Sequence, residues 1–175
     1  AELESVLKTW EGMGYYARAR NLHKAANVVA DRNHGIIPDD PVAFRALPGV
    51  GDYIAAAVLS IAFGRPLAVT DGNVKRVLAR LFKVDAPINR VSSYKLYNEM
   101  AAVLLDHDDP GMFNQAMMEL GALVCRPKHP DCSNCPLPGQ CRSHQDRTVE
   151  DFPVREKKPP VPERHQVMGV VFRDS

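Results

Sequence analysis

The sequence predicts an all-α fold, and three observations carry that prediction. Through the first two-thirds of the chain, apolar residues recur at helical spacing rather than in alternation. Each run is bounded by helix start and stop residues. The only β-branched run, Val167-Met168-Gly169-Val170-Val171-Phe172, stands at the far end, where it reads as a first strand.

The elements follow in order. Residues 2–10 have helical spacing and end at Gly12-Met13-Gly14. A long helix is expected from Tyr15 to about Asn33, stopped by His34-Gly35 with Pro38 beyond. Asp40-Pro41 sets an N-cap and a proline at the first helical position, so 41–46 is a short helix. Leu47-Pro48-Gly49-Val50-Gly51 is a tight hairpin, and 52–63 is an apolar helix closed by Gly64. Asp71-Gly72-Asn73 opens a helix to about Val84. Ser92 or Ser93 caps another to about Asp106, and Asp109-Pro110 starts one ending near Cys125. Lys75, Arg76, Arg80 and Lys83 read as a basic helix face, and Met112, Met117 and Met118 as core. Residues 126–145, rich in Cys, Pro and charge, suit a loop folded around a metal. Residues 146–166, with Lys157-Lys158-Pro159-Pro160, suit a linker.

The 175 residues are 45% hydrophobic and 25% charged, enough for a buried core with an ordinary surface. The net charge of +1 means that any nucleic-acid contact rests on local patches. No apolar run approaches the roughly 18 residues of a membrane span. No signal peptide opens the chain, and the clustered cysteines suit a reduced, intracellular compartment, cytoplasmic if bacterial and nuclear or mitochondrial if eukaryotic; a monomer is expected. Both ends read as cut from a longer protein.

All four cysteines lie between residues 125 and 141, spaced C-x6-C-x2-C-x5-C. Structural zinc sites usually pair two short knuckles. Here one C-x2-C carries a long arm on each side, which lets four thiolates converge on a body larger than one ion. The spacing favours an iron–sulfur cluster and leaves zinc open. Arg126 and Lys128, in the loop between the first two cysteines, would face a phosphate backbone or simply be solvated.

The two glycines of Leu47–Gly51 permit close backbone approach, and amides at a helix N-terminus make a phosphate site. An ordinary helix–helix turn is the alternative. Some 20 residues on comes Asp71-Gly72-Asn73. Hairpin, helix and then an aspartate at the next helix start resembles the plan of the helix-hairpin-helix DNA glycosylases. Cysteines after the last helix narrow the resemblance to the branch of MutY and endonuclease III. Trp10-Glu11-Gly12-Met13-Gly14-Tyr15-Tyr16-Ala17-Arg18-Ala19-Arg20-Asn21-Leu22 is similar to the MutY segment W-x-G-L-G-Y-Y-x-R-x-R-N-L. Asp71-Gly72-Asn73 matches its D-G-N, where endonuclease III typically has D-T-H. Phe113 to Gly121 and the cysteine spacing match as well, so the resemblance covers about residues 1–165.

The resemblance implies a partial six-helix barrel carrying the hairpin (1–64) and a helical domain with the cluster loop (65–145). A linker (146–166) and the start of a Nudix-like domain (167–175) follow. It implies a [4Fe–4S] cluster on Cys125, Cys132, Cys135 and Cys141. The partner would be double-stranded DNA with A:8-oxoguanine or A:G mispairs, held at the backbone of Gly49, Val50 and Gly51. Asp71 would stabilise the oxocarbenium ion formed as the adenine leaves; a plain N-cap is the alternative and is compatible. Tyr53 and Asn73 would position Asp71 and the sugar. Gln115 would contact the flipped adenine, or be a surface glutamine. Tyr15 would wedge into the duplex, or pack in the core.

Tyr53 occupies the position at which endonuclease III-type enzymes carry an attacking lysine. A phenol forms no Schiff base, so a monofunctional glycosylase is expected. The glutamate that protonates adenine in this family, within a segment like S-E-V-M-L-Q-Q-T, has no counterpart here, and Glu2, Glu4 and Glu11 lie in a different context. This piece alone is therefore expected to be inactive. Two other readings stay open: an endonuclease III-like glycosylase/lyase, and a non-catalytic DNA-binding iron–sulfur module.

Overall fold

The computed structural model describes residues 1–157 and Gly169; the expected strand at 167–172 and most of the expected linker lie outside the described residues. Among the described residues there is no strand. The helices are α1 (Leu3–Thr9), α2 (Tyr16–Arg32), α3 (Pro41–Arg45), α4 (Asp52–Phe63), α5 (Gly72–Phe82), α6 (Tyr94–Leu104), α7 (Pro110–Glu119) and α8 (Arg142–Gln145).

The start and stop residues act as the sequence implies. Asp40 caps α3, accepting from the amides of Val42 and Ala43, and Asp109 caps α7, accepting from Met112. Gly64 closes α4 in the left-handed region, φ +62°. Helix α5 stops at Phe82, two residues earlier than expected, because Lys83 takes a left-handed conformation, φ +55°. Helix α6 begins after a 3₁₀ turn over Val91–Ser93, and Ser93 makes no side-chain cap. Helix α7 does not run straight to Cys125: residues Leu120–Val124 widen into a π-helical turn.

Two small cores organise the chain. Phe44, Leu47, Ala55 and Leu59 pack α3 and the hairpin against α4, with Ala25, Val28 and Val29 of α2 beside them. Val74, Leu78, Ala79, Ile88, Tyr97 and Ala101 join α5 to α6, with Met117 and Met118 at the edge. Burial pushes the Tyr97 hydroxyl up to about 12, and it donates to the Ala86 carbonyl at 2.7 Å. Met112 corrects its expected core role: it is 63% exposed, on the outward face of the first turn of α7. The cores meet where α7 crosses α4. At Gly111 a Cβ would stand 2.9 Å from the Ser60 carbonyl oxygen, so only glycine lets the helices touch there. Residues 1–64 leave Leu22, Ile36, Ile37, Val42, Ile54 and Ile61 exposed. No helix among the described residues is long and apolar enough to cross a membrane.

The basic face expected on α5 is not one. Arg76 and Arg80 are 5% and 2% exposed, because the chain from residue 121 onward folds over them. Lys83 pairs with Asp146 at 2.7 Å, and Lys75 lies 5.2 Å over the Tyr94 ring. Residues 149–156 form a strap against the body. Ile88 donates to the Val154 carbonyl, Asn89 exchanges hydrogen bonds with Glu156, and Arg90 pairs with Glu156.

Candidate active site and cysteine loop

Asp71 stands at the N-cap of α5 with both carboxylate oxygens engaged. One accepts from the Val74 amide at 2.7 Å, the other from Asn73 Nδ2 at 3.0 Å. Each oxygen keeps a lone pair for a further partner. Asn73 Oδ1 in turn accepts from Arg76 at 2.9 Å, which fixes which way the amide points. Arg76 also donates to the carbonyls of Gly121 and Cys125, both at 2.7 Å. Desolvation by burial holds the Arg76 pKa below its ordinary value, partly offset by the nearby Cys125 and Asp71 charges. A bonded chain thus runs from the Asp71 carboxylate through Asn73 and Arg76 to the backbone of the first cysteine. The contact is close: a Cβ on Gly121 would meet the Asn73 Cβ at 2.6 Å and its carbonyl oxygen at 2.9 Å.

Tyr53 lies on the first turn of α4, 46% exposed, and no hydrogen bond joins it to Asp71. Among the described residues the backbone N–H groups of Gly51, Asp52, Tyr53 and Ile54 have no partner and open outward at the hairpin. Gly49, φ +78°, lies flush on Asn21 of α2, 2.5 Å from its Cβ to an added methyl. Val50 is half-buried against the first core and Gly51 is the N-cap of α4. Tyr15 is 81% exposed in a left-handed conformation, φ +47°, at the start of α2, which excludes a core role. Gln115 is exposed on α7, its amide donating back to the Gly111 carbonyl at 3.2 Å.

Cys125, Cys132, Cys135 and Cys141 all line one cavity, closed by Val124, Pro130, Pro138 and Val149. Burial first, and then the charges of the other three cysteines, push the Cys132 thiol up. No group of three or more His, Cys, Asp or Glu side chains is gathered as a single-ion site among the described residues. Arg80 reaches the same cavity. It donates to Cys125 Sγ at 3.4 Å, to the carbonyls of Arg126 and Pro127, and to Val149 and Phe152 in the strap. No carboxylate is among those partners. A buried cation facing clustered thiols fits a strongly anionic guest. Asp131 knots the loop through Ser133 and Asn134, and the Asn134 amide chiefly holds its carboxyl below the usual range. Arg126 is turned onto the His129 carbonyl of its own loop, while Lys128 is exposed.

Sequence reasoning missed Arg76 and Arg80 as internal residues, and gave no separate role to Gly121. Their only signal was indirect. Asn73, Arg76 and Arg80 recur at helical spacing on the polar face of α5, the face that begins beside Asp71.

Comparison with known proteins adds the relatives. A family model described as HhH-GPD superfamily base excision DNA repair protein matches residues 1–101. The adenine DNA glycosylase of Mus musculus is 46% identical over 147 residues, 83% of this chain and 28% of that protein. The Homo sapiens adenine DNA glycosylase is 46% identical over 83% of this chain and 27% of its own length. That of Buchnera aphidicola subsp. Acyrthosiphon pisum is 34% identical over 94% of this chain and 47% of its own. The chain thus spans less than a third of the two mammalian relatives. Among solved structures, a thermostable thymine-DNA glycosylase superposes with TM-score 0.75 at 31% identity, covering 83% of this chain and 67% of that one. A trapped endonuclease III–DNA covalent intermediate gives 0.70 at 28% identity, covering 84% and 68%.

Proposed function

The chain belongs to the HhH-GPD superfamily of base excision DNA repair proteins, and from that premise we propose that it is the core of a monofunctional adenine DNA glycosylase acting on adenine mispaired with 8-oxoguanine or guanine. The observation that carries this reading is the Asp71 carboxylate, fixed by Val74 and Asn73 at a helix start and still able to face a sugar. Such a group suits the stabilisation of positive charge on the sugar as the N-glycosidic bond breaks.

The rest of the site supplies binding. The outward amides at Gly51–Ile54 suit a DNA phosphate, with Gly49 and Val50 shaping the hairpin that presents them. Exposed Tyr15 suits insertion beside the mispair, and Gln115 can turn its amide from Gly111 to an extruded adenine. Tyr53 stands where a lyase needs an amine, so the product is an abasic site in an unbroken strand. Lys128 is the cation in the cysteine loop with free reach to a phosphate; Arg126 shapes that loop.

Cys125, Cys132, Cys135 and Cys141 would hold a [4Fe–4S] cluster, which when bound would fix the loop and balance Arg80. The fit rests on four thiols around one cavity and a buried guanidinium bonded to a thiol and carbonyls, while Asp131, which also lines that cavity, is bonded to Ser133 and Asn134.

The test is a full-length protein offered A:8-oxoguanine, A:G and A:T duplexes. The expected result is adenine release from the first two, with strand breaks appearing only after alkali. Breaks without alkali, trapped by borohydride as a protein–DNA adduct, would support the lyase reading instead.

A further inference from the structure

The segment that delivers Asp71 has no partner strand. Residues 64–71 carry neither helix nor strand, and from Ala68 to Thr70 no backbone–backbone hydrogen bond holds it among the described residues. Val69 and Thr70 are nevertheless 1% and 5% exposed, so their polar groups need partners inside the protein.

Asn114, buried on α7 at 2% exposure, takes up the Val69 amide and the Leu67 carbonyl, while Thr70 Oγ1 donates to Asn98 Oδ1 at 3.1 Å. Asn114 Oδ1 accepts from the Val69 amide at 3.0 Å. Its Nδ2 donates to the Leu67 carbonyl at 2.8 Å and to Ser60 Oγ at 2.9 Å. A carbonyl and an amide two residues apart on an extended chain point to one side, so this carboxamide pairs with 67 and 69 as a neighbouring strand would. The contact of Gly111 with the Ser60 backbone brings α7 near enough to reach.

We propose that Asn114 is a positioning residue for glycosidic cleavage, setting the placement of residues 67–70 and so where the Asp71 carboxylate stands. The proposal rests on the reading of Asp71 given above. The side chain must offer an acceptor and a donor together at one length. Aspartate keeps the shape but turns the donor into an oxygen facing the Leu67 and Ser60 oxygens. Glutamine keeps the chemistry but is one methylene too long.

The experiment compares wild type, Asn114→Asp, Asn114→Gln and Ser60→Ala in the full-length, cluster-loaded protein. Three quantities are read: single-turnover adenine release, affinity for a duplex with an uncleavable adenine analogue, and hydrogen exchange at the Val69 amide. Asn114→Asp is expected to slow release on the order of 100-fold, as a small misplacement of a catalytic group does. Affinity and cluster absorbance stay at wild-type values while the Val69 amide exchanges faster. Asn114→Gln falls between the two and provides the reading if the aspartate variant does not fold. Ser60→Ala, which keeps both bonds to the segment, releases adenine at the wild-type rate. Wild-type release by a folded Asn114→Asp or Asn114→Gln protein would overturn the proposal. So would a parallel loss of affinity, cluster and rate, which marks a role in folding only. A wild-type protein that releases no adenine would instead sink the functional reading itself.

Discussion

Single side chains in this protein carry more than one junction. Arg80 binds the cysteine loop with one edge of its guanidinium and the 149–156 strap with the other. Lysine has the charge but not the planar fork, so it cannot serve both. Arg80→Lys is expected to cost about 3 kcal/mol, because buried carbonyls of the loop and strap lose their donor together. Urea unfolding of the loaded protein measures this, and a cost near zero would show that the strap holds without Arg80. Arg76 does the equivalent on the Asp71 side, bonded to Asn73, Gly121 and Cys125. Both arginines were misread from sequence for the same reason. Most of the partners that bury them are carbonyls 45 or more residues away, and a carbonyl leaves no trace in the residue code. Asp71 was legible because its role as a cap is local.

At the level of elements, the π-helical turn over Leu120–Val124 matters most. It widens the end of α7 and sets Gly121 against the Asn73 backbone. Gly121→Ala is expected to destabilise by about 1–3 kcal/mol through overpacking. It should also slow catalysis more than it weakens DNA binding, since the neighbour displaced is Asn73. Thermal unfolding and single-turnover kinetics separate the two effects; equal losses in binding and rate would contradict it. Elements with strong punctuation were legible in the sequence: Asp40-Pro41, Gly64 and Asp109-Pro110 bound their helices where expected. The end of α7 was not, because a single five-residue π-helical turn is too short for its wider period to show in the apolar pattern. Helix α6 starts at Tyr94, where a cap at Ser93 would put it, but a 3₁₀ turn precedes it and Ser93 makes no capping bond, which two adjacent serines do not reveal.

Across the whole molecule, the hairpin core and the α5–α6 core meet at α4 and α7, and the cysteine loop closes on α5. Asp71 and the cysteine loop therefore share one helix. Removing the proposed [4Fe–4S] cluster should loosen residues 125–156 first and α5 next, while residues 16–63 keep their protection. Hydrogen exchange before and after oxidative removal measures this, and uniform loosening would contradict it. The central claim, that Asp71 carries adenine excision, has one direct test: single-turnover release from an A:8-oxoguanine duplex by full-length wild type and Asp71→Asn. The account predicts that the variant binds the duplex as wild type does and releases adenine about 100- to 1000-fold more slowly. Release at the wild-type rate would contradict it.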